Sequence, residues 1–200
     1  MRPIVRIIAP LAVAAALAGC SISSMLGGGK PPTTLQTLTP EAADPGPIQR
    51  TVNAGQAVTI ATPVVSKELR TVRVPVQLTP TDVQYVTNLQ WVDTPDRLFQ
   101  GLLEETVRRT TSRVVLDPQQ TTLDPGLLVT GELQRFGYDA STAQVVVVYD
   151  ASLSTQGGSH VETRRFTATA PADGSGPSIG PALNRAANEV ALEVAKWIGG

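Results

Sequence analysis

The sequence holds a single cysteine and a single histidine in 200 residues. With one thiol no disulfide can form within the chain, so the fold stands on packing alone. A zinc site of the Cys/His kind also lacks its ligands. Charge excess is missing as well: 16 Lys and Arg against 17 Asp and Glu give a formal net charge of −1. Such a chain has no general electrostatic attraction to nucleic acid, and no basic membrane-binding face is evident. The longest apolar run, Ile7–Leu17, has 11 residues, where a membrane-spanning helix needs about 20. Neither Gly27–Gly29 nor Gly157-Gly158 leads into the Lys-Ser/Thr of a phosphate loop. His160 has no Cys nucleophile to pair with, and the adjacent Glu104 and Glu105 point about 100° apart on a helix. No repeat of solenoid length occurs. No catalytic, metal or cofactor constellation is expected, and the chain reads as a non-enzyme.

What the sequence does have is a processing junction. Arg2 and Arg6 form a short positive n-region, Ile7–Leu17 an apolar h-region, and Ala18 and Gly19 the small residues beside a cleavage point. This is a secretory signal peptide. It ends Leu17-Ala18-Gly19-Cys20, which resembles the lipobox of bacterial lipoproteins; the alternative is an ordinary signal peptide with a chance cysteine. The resemblance implies cleavage between Gly19 and Cys20, a diacylglyceryl thioether on Cys20 and acylation of the new amine. Each buried CH₂ contributes roughly 0.8 kcal/mol, so two or three chains hold where one holds marginally. Ser21, where Asp would signal inner-membrane retention in enteric-type bacteria, points to export to the outer membrane. The mature chain would have 181 residues and, without Arg2 and Arg6, a net charge of −3.

The organisation follows: 1–19 signal peptide, 20–32 lipidated N-terminus and tether, 33–200 one domain. The tether has no periodicity and, as a coil, spans roughly 20 Å. Strands are expected at 33–38, 56–65, 72–77, 82–89 and 112–116, with Pro75 marking an edge or irregular strand. The segments 127–138, 143–154 and 160–170 read as a three-stranded antiparallel meander, its last turn at Gln156–Ser159. Thr94 is placed as the N-cap of a helix ending near Thr110, with Pro95 at its first position. A second helix opens at Gly180-Pro181 and keeps Leu183, Ala186, Ala187, Val190, Ala191, Val194, Trp197 and Ile198 on one stripe. Asn184, Arg185, Asn188, Glu189, Glu193 and Lys196 fill its other face. The expected fold is α+β: a mostly antiparallel sheet of six to seven strands with two amphipathic helices on one face.

Leu38-Thr39-Pro40, Val74-Pro75, Trp91-Val92-Asp93-Thr94-Pro95, Gly131-Glu132-Leu133 through Phe136, Arg165-Phe166 and the Ala-rich helix ending at Trp197 form an ordered set. In order and spacing they resemble the ABC-type transport auxiliary lipoproteins, the PqiC-like family. One departure is Leu35, where the family usually has Tyr. The resemblance implies an accessory of an MCE-type lipid transporter at the outer membrane. Its partners would be the periplasmic MCE-domain protein and the ABC permease and ATPase of the inner membrane. The rival expectation is a structural or assembly lipoprotein, for instance in lipopolysaccharide assembly.

Three residues are singled out as interface candidates. Trp91 could anchor a partner or pack beneath the helix start at Thr94. Val146 and Val148 belong to the run Val145–Val148, which is apolar on both faces of its strand. The second face needs a cover from a loop, another subunit, a partner or a lipid, so homo-oligomerisation stays open.

Overall fold

The computed structural model describes residues 34–53, 56–118, 126–155 and 158–199. The expectations for the signal peptide, the Gly19/Cys20 junction and the tether to residue 32 lie outside these residues, as do Gln156 and Gly157.

Among the described residues eight strands form one sheet: β1 (Val58–Ile60), β2 (Val64–Val65), β3 (Arg73–Gln77), β4 (Val83–Gln90), β5 (Val115–Leu116), β6 (Leu127–Asp139), β7 (Gln144–Thr155) and β8 (His160–Pro171). The antiparallel meander β6–β7–β8 is as expected. The rest corrects the expectation of a mostly antiparallel sheet of six to seven strands. The other edge of β6 carries β1, β2 and β3 end to end, all parallel to it: Val58 opposite Leu127, Val64 opposite Glu132, Val76 opposite Tyr138. Residues 58–77 are in effect one broken ribbon, interrupted at Pro63 and by a 3-10 turn at Lys67–Leu69. Parallel neighbours need a long crossover, and here it runs through β4, the first helix and β5. Local hairpin signals cannot reveal such a pairing.

Pro75 likewise sits inside the sheet, between β4 and β6, where the β3–β4 register shifts. Gly137 accommodates it: a Cβ there would lie 2.5 Å from the Pro75 carbonyl oxygen. Of the expected strand 33–38, the described residues 34–38 contribute a single bridge, Gln36 to Trp91, rather than a strand.

Helix α1 spans Pro95–Thr110 and α2 spans Gly176–Gly199. Thr94 is the N-cap of α1 by its extended backbone, and its carbonyl accepts from Arg97 and Leu98, while its side chain caps nothing. α2 begins four residues before the expected Gly180-Pro181, because Ser175 already accepts the N–H groups of Ser178 and Ile179. Pro181 is therefore inside the helix.

Both helices lie on one face. Phe99 of α1 meets Tyr149 edge-on at 5.2 Å, Trp197 of α2 meets Phe166 at 5.5 Å, and Tyr149 and Phe166 are cross-strand neighbours. The core fills this layer: Leu133, Phe136, Val147 and Tyr149 from the sheet, Leu102, Leu103 and Val107 from α1, Leu183, Val190 and Val194 from α2. The alanine-rich stripe of α2 lets it settle close against the strands, and at 24 residues, roughly 36 Å, it matches the length of β7. Among the described residues no helix is long and apolar enough to cross a membrane.

Candidate functional site

Two features stand out beyond the core: a strap at the start of the domain and the sheet face turned away from the helices. The strap, residues 36–50, has no regular structure of its own, so its backbone groups need partners elsewhere. Gln36 starts it, donating to the Gln90 carbonyl and accepting from Val92, both at 2.8 Å. Two asparagines one turn apart on α2 then hold it. Thr39 N–H donates to Asn184 Oδ1 at 2.8 Å, and Glu41 N–H to Asn188 Oδ1 at 2.7 Å. Asn188 Nδ2 donates back to the Thr39 carbonyl at 2.9 Å and to that of Asn184 at 2.8 Å. Arg109 of α1 donates to Ala42 O, and Arg50 returns the tie by donating to the carbonyls of Arg113 and Arg108 at the end of α1.

Asn188 is 7% exposed. Its place in the sequence is on the face of α2 opposite the apolar stripe, and the structure buries it there beneath the strap's hydrogen bonds. A polar residue on a polar stripe gives no local sign of burial when its partners lie about 150 positions earlier. Gly180 belongs to the same arrangement, since a Cβ there would press on the Gln36 side chain at 3.1 Å.

The outer sheet face carries charge pairs in rows. Asp150 on β7 accepts two bonds from Arg165 on β8, both 2.6 Å, and Arg135 reaches Asp139 at 3.0 Å. The Ser141 hydroxyl and then Arg135 hold the Asp139 carboxyl down to about 2, against an ordinary value of 3.8. Arg165, first of all, holds Asp150 below the usual carboxylate range.

Between these pairs sit Val146, 8% exposed, and the half-buried Val148. Val146 is not part of the main core. Its cross-strand neighbours are Gly137 and Thr169, and those of Val148 are Arg135 and Thr167. Trp91, the third interface candidate, is corrected: it is 1% exposed and packs on Phe136 at 5.6 Å, so it offers no surface to a partner. The strap pairs with its backbone through the Gln36 bridge.

Trp197 is half-buried, its Nε1 donating to Glu162 at 2.7 Å. Glu104 and Glu105 pair with Arg108 and Arg109 along α1. His160 is exposed at the start of β8. Among the described residues no three His, Cys, Asp or Glu side chains gather as a metal site. Burial raises the Tyr149 hydroxyl well above the ordinary tyrosine value.

A family model describing the ABC-type transport auxiliary lipoprotein component matches residues 36–195, from the first strap contact to the last turns of α2. The chain belongs to this family. It is thereby an auxiliary lipoprotein component of ABC-type transport, a protein of the cell envelope. No curated protein matches the sequence. Two solved structures share the auxiliary lipoprotein's fold. One is a Xanthomonas campestris protein of family DUF330, at 17% identity, covering 85% of this chain and 94% of that one, with a TM-score of 0.65. The other is described only as an uncharacterized protein, at 14% identity, covering 75% and 96%, with a TM-score of 0.62.

Proposed function

We propose that this auxiliary lipoprotein is a lipid-anchored docking subunit of an MCE-type lipid transporter, held on the periplasmic face of the outer membrane by Cys20. The periplasmic MCE-domain protein is its direct partner, and the ABC permease and ATPase lie beyond it in the inner membrane. Phospholipid would then pass between assembled components rather than through bulk water. Chemistry belongs to the transporter, and this chain supplies position.

The observation that carries the reading is the strap. The segment that follows the proposed anchor is tied to both helices by side-chain bonds at Asn184, Asn188 and Arg109. An anchor at Cys20 would hold the whole domain through it, leaving the sheet face with Val146 and Val148 turned away from the helices. A tether of roughly 20 Å raises the effective concentration of such a surface near the membrane.

Two measurements test this. Cys20→Ser should abolish labelling by an alkyne fatty acid and leave unprocessed precursor, because serine cannot form the thioether; equal labelling would remove the anchor from the account. A photocrosslinker at Val148 or Thr167 in living cells should capture the MCE-domain protein, and deleting residues 24–30 should weaken capture. Capture of outer-membrane or lipopolysaccharide assembly proteins instead would replace the transport role with an assembly role.

A further inference from the structure

β8 is the long strand with a bare edge. One side pairs with β7 along all 12 residues, and among the described residues no hydrogen bond reaches the other side. The remaining margins are poorer templates. β5 has two residues, and β4 is bent by Asn88 at φ 58 beside its register shift with β3. An uncovered edge of this length invites another strand. Its first half, His160–Arg165, is exposed at every position, Val161 at 57%.

Alternation puts His160, Glu162 and Arg164 on the helix side, and Val161, Thr163 and Arg165 on the other. Arg165 is already paired with Asp150. Arg164 lies over the Phe166 ring at 5.2 Å and has no carboxylate within ion-pair distance among the described residues. Glu162 gives one carboxylate oxygen to Trp197, and its other oxygen accepts nothing among them.

We propose that β8 pairs antiparallel with β8 of a second copy about a two-fold axis at Thr163. Glu162 then stands opposite Arg164 of the second copy, and Arg164 opposite its Glu162, two opposite-charge pairs on the helix side. A two-fold perpendicular to the sheet keeps each side chain on its own face, so the axis falls on a residue. Axes at Glu162, Arg164 or Arg165 would set a like charge against itself. Thr163 is the position in the exposed half that sets both Glu162 and Arg164 against an opposite charge. The interface is isologous and closes at two chains. The same axis keeps both helix layers, and with them both straps, on one side of a continuous 16-stranded sheet. The pairing goes beyond the docking role and does not depend on it.

The test uses the full-length chain in detergent. Light scattering should give a dimer, and Thr163→Cys should join two chains through a short bismaleimide, whereas Thr130→Cys, exposed on β6, should not. Glu162→Arg should weaken the dimer at least tenfold, and the double swap Glu162→Arg/Arg164→Glu should restore it, which a folding defect would not do. A monomer at every concentration overturns the proposal. So does a larger assembly without the Thr163 crosslink, or a Glu162→Arg dimer of unchanged affinity. The chain has one native thiol, so crosslinking of the unsubstituted protein would mean a free Cys20. That result counts against the lipid anchor and leaves the β8 test to be read in a Cys20→Ser background.

Discussion

Asn188 of α2 and Thr39 of the strap are joined side chain to carbonyl at 2.9 Å across 149 positions of sequence. The same asparagine accepts from Glu41 and donates to Asn184. One buried amide thus satisfies backbone groups of two elements at once. Replacing it takes the partner from the Thr39 carbonyl and the Glu41 N–H, two part-buried bonds.

Asn188→Ala should therefore lower stability by about 1–3 kcal/mol, the loss of part-buried hydrogen bonds worth roughly 0.5–1.5 kcal/mol each. Asn184→Ala, at a more exposed position, should cost less. Urea melts of the two variants should separate their midpoints in that order; coincident midpoints would mean that the strap adds nothing to stability.

Leu102 is 3% exposed on the core side of α1. Leu102→Ala should cost about 2–5 kcal/mol. Glu105→Ala loses only solvent-screened pairs with Arg108 and Arg109, worth no more than about 1 kcal/mol. Melts that rank the two variants the other way would show the helix stripe to be misassigned.

Two glycines should respond with opposite sign to the same change. At Gly131 a Cβ would collide with the Asp150 carbonyl oxygen and lie 2.7 Å from the Tyr149 ring, so Gly131→Ala should destabilise by about 1–3 kcal/mol. At Gly101, inside α1, a Cβ meets nothing within 4 Å. Gly101→Ala should raise stability by about 0.5–1 kcal/mol through helix propensity and a less free unfolded chain. Thermal melts of both variants check the pair.

Acid should expose the outer-face carboxylates. Asp139 is held at about 2 in the folded chain against an ordinary 3.8. The unfolded state therefore takes up protons first as pH falls. The contribution of Asp139 is full above its ordinary value and fades as pH drops toward about 2. Asp150, lowered by Arg165, adds in the same direction. Asp139→Asn should be less stable than the parent near neutral pH, and the gap should close in acid. A gap that stays constant across that range would contradict the assignment.

The sequence by itself determined the features that rest on local spacing. The stripe Phe99–Leu102–Leu103–Val107, with Thr94 and Pro95 ahead of it, requires a helix there. The three alternating runs from 127 to 170 require a meander, because a strand repeats every two residues and a tight turn joins neighbours. The ordered motifs from Trp91–Pro95 to Trp197 carried the family. Tertiary structure decided the rest. The parallel ribbon 58–77 along β6, the burial of Trp91 against Phe136 and the use of Asn188 as a buried clamp each depend on segments far apart in sequence. A backbone group satisfied at such a distance leaves no periodic trace at either end. Whether a polar side chain faces water or another part of the chain is settled only when the layers close over it.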